Sequence, residues 1–143
     1  MLPEVRLVKV TRDDIKRIAE WLRDEEVNAS WYGTNEQGEP LHIGYSPERI
    51  TDASDSEWDQ VFDDAERRIF SVVTADGQHV GEGQVVIETP LREAELFILI
   101  GRKDLWYRGF GTAGLVHLLD MAFYTHNLHR AWVDVPEYNL PAI

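Results

Sequence analysis

A chain of 143 residues suits one domain and is long enough to bury a real core. Hydrophobic residues make up 43% and charged residues 28%, and the absence of cysteine excludes a disulfide scaffold, a thiolate zinc site and a cysteine nucleophile. A net charge of −12 argues against nucleic acid as a partner and favours a cationic guest, and no apolar run nears the roughly 20 residues that span a bilayer, so the chain reads as cytoplasmic, with no membrane partner.

Glu4–Val10 alternates loosely and reads as a first strand. Thr11 offers an N-cap, with Asp14 as its partner in the first turn. Ile15, Ile18, Ala19 and Leu22 then follow at helical spacing, which predicts a helix from Asp13 to about Glu26. Residues 28–50 have no period and carry Gly33, Gly38, Pro40, Gly44 and Pro47, the marks of a long loop. Its aromatic content, Trp31, Tyr32, His42 and Tyr45, argues against full disorder. Ser54 or Ser56 caps a second helix running through Glu66, with an acidic outer face. Arg68–Thr74 and His79–Glu88 read as strands joined by an Asp76-Gly77 hairpin turn. Ala94–Gly101 is a nearly all-apolar, central strand. A helix over Gly109–Thr125 and a strand over Arg130–Val135 complete the series. A hairpin followed by a β-α-β unit implies an α/β fold with a mixed sheet and helices on both faces.

The segment Ile100–Gly114 carries the chemistry. A buried strand ends, a basic loop follows, and a glycine-rich turn opens a helix. Helix starts present unpaired N–H groups at a positive dipole end, and glycines let a phosphate approach closely. Of the five Lys and Arg between residues 71 and 143, three (Arg102, Lys103 and Arg108) fall within 102–108. In an acidic chain this reversal of sign points to an anion such as a diphosphate. Gly109-x-Gly111-x-x-Gly114, with Asp134 twenty residues on, literally matches a dinucleotide-binding fingerprint. Arg102–Arg108 intervene between strand and first glycine, which counts against that Rossmann-type alternative.

Trp106-Tyr107-Arg108-Gly109-Phe110-Gly111-Thr112 resembles the Gln/Arg-x-x-Gly-x-Gly/Ala hallmark of the GNAT superfamily of N-acetyltransferases, with Trp106 at the first position. That variant is similar to the branch of ribosomal-protein N-terminal acetyltransferases, where Trp-Gly-Lys-Gly-Tyr-Gly-Thr is common. Tyr138-Asn139-Leu140-Pro141-Ala142 is similar to the family's later motif. The resemblance implies a mostly antiparallel mixed sheet, splayed between its fourth and fifth strands, in one domain spanning 1–143. It implies transfer of acetyl from acetyl-CoA to a primary amine by direct attack in a ternary complex. The diphosphate would sit on the amides of about Arg108–Thr112, and the pantetheine arm would run beside Leu99, Ile100 and Gly101. A backbone N–H of Leu99 or Ile100 would polarise the thioester. Arg102, Trp106, Arg108, Gly109, Phe110, Gly111, Thr112 and Asn139 complete the cofactor set that the resemblance implies.

Glu95, at the edge of the apolar strand, is the first candidate general base, and Glu82 on the preceding strand is the second. Glu95 also reads as a structural carboxylate paired with Arg92 or a backbone amide. Trp31 and Tyr32 are candidate walls of the acceptor pocket, and no metal site is expected. The acceptor is a small-molecule amine or a peptide N-terminus. Ile143 falls inside what the resemblance makes the fourth helix, so the chain reads as a fragment without the family's C-terminal tyrosine and last strands. The strand at 130–135 would then offer a pairing edge for a homodimer. A non-catalytic acyl-CoA-binding or regulatory module is the alternative function.

Overall fold

The computed structural model describes residues 2–125 and 128–133. After β1 (Val5–Lys9), Thr11 caps α1 (Arg12–Trp21). Its hydroxyl accepts from the Asp14 N–H at 3.2 Å, and the Asp14 carboxylate accepts from the Thr11 N–H at 3.1 Å. This reciprocal box satisfies two amides that a helix start otherwise leaves open. The helix ends at Trp21, short of the expected Glu26. Asp24 accepts from the N–H groups of Glu26 and Val27 at 2.9 and 3.3 Å and starts a separate α2 (Glu25–Ser30). A carboxylate that caps locally competes with helix continuation.

The expected loop at 28–50 holds the end of α2 and a one-turn α3 (Pro47–Ile50). Between them the chain folds back on itself, with Thr34 bridged to Pro40 and the Leu41 N–H donating to the Gly33 carbonyl at 2.9 Å. Ser54 caps α4 (Asp55–Phe62) by accepting from the Glu57 N–H. This helix ends four residues before the expected Glu66, because Asp64 accepts from the Glu66 N–H at 2.9 Å and turns the chain into the next strand.

The sheet has the order β1-β2-β3-β4-β5, with β2 (Arg67–Thr74), β3 (His79–Glu88), β4 (Glu93–Ile100) and β5 (Arg130–Val133). β1 to β4 pair antiparallel, and β5 runs parallel to β4 after the crossover through α5 (Phe110–Asp120). A π-helical turn, Met121–Thr125, extends α5. The mixed, mostly antiparallel sheet is the expected one. Its pairing with β5 covers Glu93–Leu96, and β4 runs on through Ile100. The residues after Val133, which include Asn139 and the far side of the expected splay, lie outside the described ones.

Two cores flank the sheet. α5 covers one face with Leu118 among Val72, Val85, Leu96 and Ile98. It sits so close that a Cβ on Gly114 would come 2.7 Å from the Ile98 Cδ1. α1, α2 and α4 cover the other face, where Ile15, Ile18, Val27, Trp31 and Trp58 meet Ile69 and Leu99. The loop at 33–46 lies over this second face, beside β3.

Candidate active site

The register of β4 decides where its last backbone groups point. The Gly101 N–H donates to the Val80 carbonyl at 2.9 Å. Bonded and non-bonded pairs alternate along an antiparallel ladder, so Leu99, opposite Glu82, also spends its N–H and C=O on β3. Ile98 and Ile100 turn theirs toward the β5 side. Of the two amides expected to face a thioester, that of Ile100 has the right direction and that of Leu99 does not. The Ile100 carbonyl accepts two indole N–H groups, Trp106 Nε1 at 2.9 Å and Trp31 Nε1 at 3.3 Å. These bonds tie the following loop and the end of α2 to the same point on β4.

That loop makes a 3-10 turn, Lys103–Leu105, and reaches α5 through Tyr107 at φ 64° and Gly109 at φ 88°. Gly109 is the left-handed N-cap of α5, and the Ala113 N–H donates to its carbonyl at 2.9 Å. The N–H groups of Phe110 and Gly111 therefore have no partner within the helix. Leu2 and Pro3 border the turn, each with an atom 3.2 Å from where a Gly109 Cβ would stand. Amides at the positive end of a helix, beside the exposed Arg108, are a donor set that suits a diphosphate. The coenzyme that the resemblance implies fits these groups. Two of the three basic residues are already engaged. Arg102 binds Asp104 at 2.7 Å and the Gln78 Oε1 at 2.5 Å, and Lys103 binds Asp24 at 2.7 Å. Arg102 lines a cleft with Arg17, Gln78 and His79.

Glu82 is the centre of a buried polar nest on the α1 face. It is 1% exposed and stands opposite Leu99. His42 Nε2 lies 2.8 Å from one of its oxygens, the Tyr45 hydroxyl donates to the other, and the Gln84 amide donates at 3.1 Å. Gln84 in turn accepts from Arg67 at 2.7 Å and donates to the Ile43 carbonyl. Burial first, and then the charge of Glu82, push the Tyr45 hydroxyl well above its ordinary value, so it stays a donor. The His42 side chain is fully buried, stacked on Trp31 with ring centroids 5.5 Å apart and edged by Tyr45 and Tyr32. Its Nδ1 has no hydrogen-bond partner among the described residues.

The other expected residues are dispersed around this centre. Glu95 is half-buried on the same face as Leu99, between Val86 and Trp132, about 13 Å along the strand at ~3.3 Å per residue. Trp31 is fully buried, so it backs His42 and does not itself line an open pocket. Tyr32 is half-buried against the same ring. His42 and Tyr45 entered the sequence reading only as aromatic content of a loop. Nothing local marks them, because their partner Glu82 is about forty positions away. Among the described residues no group of His, Asp and Glu could hold a metal ion, and no helix is long and apolar enough to cross a membrane.

A glycine-capped helix follows the central strand β4, and a buried acid–imidazole pair lies beside that strand. The family model for the acetyltransferase (GNAT) domain matches residues 4–143, and the chain belongs to that family. It is an acetyltransferase of the acetyl-CoA-dependent kind. Its fold is shared with spermidine N-acetyltransferase SpeG from Vibrio cholerae. The structure of that enzyme in complex with CoA and spermine aligns with a TM-score of 0.68 at 23% identity, over 92% of this chain and 70% of that one. A dodecameric structure aligns with a TM-score of 0.67 at 21% identity, over 94% and 71%. No curated protein sequence matches. The consecutive, antiparallel strand order also removes the dinucleotide-fold alternative, which needs a parallel, doubly wound sheet.

Proposed function

We propose that the chain transfers acetyl from acetyl-CoA to a primary amine of a small cationic molecule, by direct attack in a ternary complex. The observation that carries this reading is the pairing of two sets of backbone donors. The amides of Ile98 and Ile100 face the β5 side of β4, and those of Phe110 and Gly111 open α5 at the end of the same loop. One extended thioester reaches both sets. The helix start, with Arg108, Gly109 and Thr112 around it, holds the diphosphate, and Gly101 and Trp106 shape the passage between. The Ile100 N–H is the donor for the thioester carbonyl. Acetyl-CoA supplies the activated acyl group.

Deprotonation of the amine falls to the Glu82 site, which adjoins Leu99, and Glu95 is the second carboxylate on that face. Tyr32 walls the acceptor side, and Trp31 backs it from behind His42. A buried carboxylate among aromatic rings, in a chain of charge −12, favours a cationic guest. Spermidine, the substrate in the names of the structural relatives, is the first acceptor to test. A peptide N-terminus is the second, because Trp106–Thr112 resembles the corresponding motif of ribosomal-protein N-terminal acetyltransferases.

Calorimetric titration with acetyl-CoA, and with NAD as control, tests the donor site. Thiol release in the presence of spermidine, an aminoglycoside and a peptide then tests turnover. Binding of acetyl-CoA alone, followed by amine-dependent thiol release, is the expected result. Binding without turnover for any amine supports the non-catalytic module, and absence of binding ends the proposal.

A further inference from the structure

We infer that His42, held by Glu82, is the group that takes the proton from the attacking amine. The inference rests on the acetyl-transfer reading above and deepens it by naming the atom, His42 Nδ1. Three groups converge on one carboxylate: the Tyr45 hydroxyl and the Gln84 amide as donors, and His42 Nε2 at 2.8 Å. An ionised carboxylate only accepts, so Nε2 carries the hydrogen and Nδ1 keeps its lone pair. That Nδ1 is buried and has no partner among the described residues. A buried acceptor left unsatisfied is costly, and native interiors leave few of them. Among the described residues the surroundings supply no donor: Trp31 stacks on the ring, and Tyr45 and Tyr32 meet it edge-on. The missing donor is the N–H of a guest.

Position supports the assignment. Trp31 bridges the two halves of the reaction, its ring on His42 and its Nε1 on the Ile100 carbonyl. The imidazole therefore stands one indole away from the strand end whose amide faces the thioester, and Glu82 adjoins Leu99. In the step, the amine nitrogen bonds to the acetyl carbon while one of its protons passes to Nδ1. The carbon–sulfur bond breaks, and its electron pair leaves on sulfur. The imidazolium so formed is stabilised by the Glu82 carboxylate and the Trp31 face, and it returns its proton to the departing thiolate or to water. Glu82 is then a positioning residue, which fixes the tautomer and the ring orientation.

Nitrogen-15 spectra of histidine-labelled protein read the tautomer without any substitution. The expected spectrum has the proton on Nε2 and a bare Nδ1 for His42, and added spermidine shifts the Nδ1 resonance. His42→Ala should lower kcat about 100-fold, in the range of general-base effects, with added imidazole restoring part of it. Glu82→Gln should also lower kcat, and the double variant should be no slower than His42→Ala alone. A proton on Nδ1, an Nδ1 resonance unmoved by spermidine, a His42→Ala enzyme with wild-type kcat, or a folded His42→Ala enzyme that imidazole does not rescue would each overturn the inference. A wild-type protein that acetylates amines while failing these tests refutes only the inference. A wild-type protein that binds no acetyl-CoA refutes the acetyl-transfer reading as well.

Discussion

Trp21 lies so close over Gly101 that a Cβ on the glycine would come 1.9 Å from the ring carbon Cε3. The end of α1 is thereby clamped onto the residue where β4 hands over to the loop before α5. Three bonds meet there: the Gly101 N–H on the Val80 carbonyl, and two indoles on the Ile100 carbonyl. Gly101→Ala must push the Trp21 ring or the strand end aside. Overpacking of this kind costs about 1–3 kcal/mol. Thermal unfolding should show a fall of several degrees, at about 2–4 °C per kcal/mol for a chain of this size. Acetyl-CoA affinity should fall with it, because the Ile100 amide moves. An unchanged melting temperature would mean that Trp21 swings away freely.

Gly109 holds φ at 88°, where a side chain costs about 1–2 kcal/mol. Gly109→Glu adds a carboxylate at the positive end of α5, the proposed seat of the diphosphate. The variant should fold with reduced stability and lose more than tenfold in acetyl-CoA affinity, since each 1.4 kcal/mol is tenfold. Gly109→Ala carries the same strain without the charge, so its smaller loss isolates the electrostatic part. Equal affinities for wild type and Gly109→Glu, measured by calorimetry, would remove the diphosphate from this turn.

Tyr107 is a second left-handed residue, at φ 64°, and its ring is 80% exposed. The motif that this segment resembles has glycine there. With so little packing to offset the backbone cost, Tyr107→Gly should raise stability by about 1 kcal/mol, less whatever the extra freedom of glycine costs the native state. Chemical denaturation midpoints measure this directly. A lower midpoint for the variant would mean that the ring gains more from its remaining contacts than the strain costs.

The elements that could be read from the sequence are those with local causes. Thr11 and Asp14 make a capping box within four residues, Asp76-Gly77 turns a hairpin, and His79–Glu88 is a strand over just that range. The glycine turn before α5 was legible because helix-start chemistry is local. The breaks at Asp24 and Asp64 were missed because each carboxylate serves equally well inside a helix or as a cap. The nest around Glu82 was not legible, since His42 and Tyr45 reach it from a loop about forty positions away. The basic run at 102–108 misled in part. Asp24 comes from another element to neutralise Lys103, and Arg102 turns to Asp104 and Gln78.

The other buried histidine makes stability depend on pH. The His79 side chain is 3% exposed, with the Arg17 guanidinium donating to its Nδ1 at 3.0 Å and its Nε2 donating to the Gly81 carbonyl at 2.9 Å. Burial holds its pKa below the ordinary 6.5, and Arg17 adds to this, whereas Asp14, the Gly81 carbonyl and Glu82 oppose it. Trp21 packs on the ring from α1. Just below pH 6.5 the unfolded chain therefore binds a proton that the native state refuses. Stability must fall as pH drops through that window. Asp14 adds a second, lower window. Its partial burial raises its pKa, but hydrogen bonds from Ser71 and Thr11 outweigh this and hold it below 3.8. The stability it contributes is present above 3.8 and is lost as pH falls further. Urea midpoints at pH 7.5 and 5.5 test the first window. The wild type should be weaker at pH 5.5, and His79→Gln, which cannot titrate, should show a smaller difference between the two. Equal differences for both proteins would place the titration on another group.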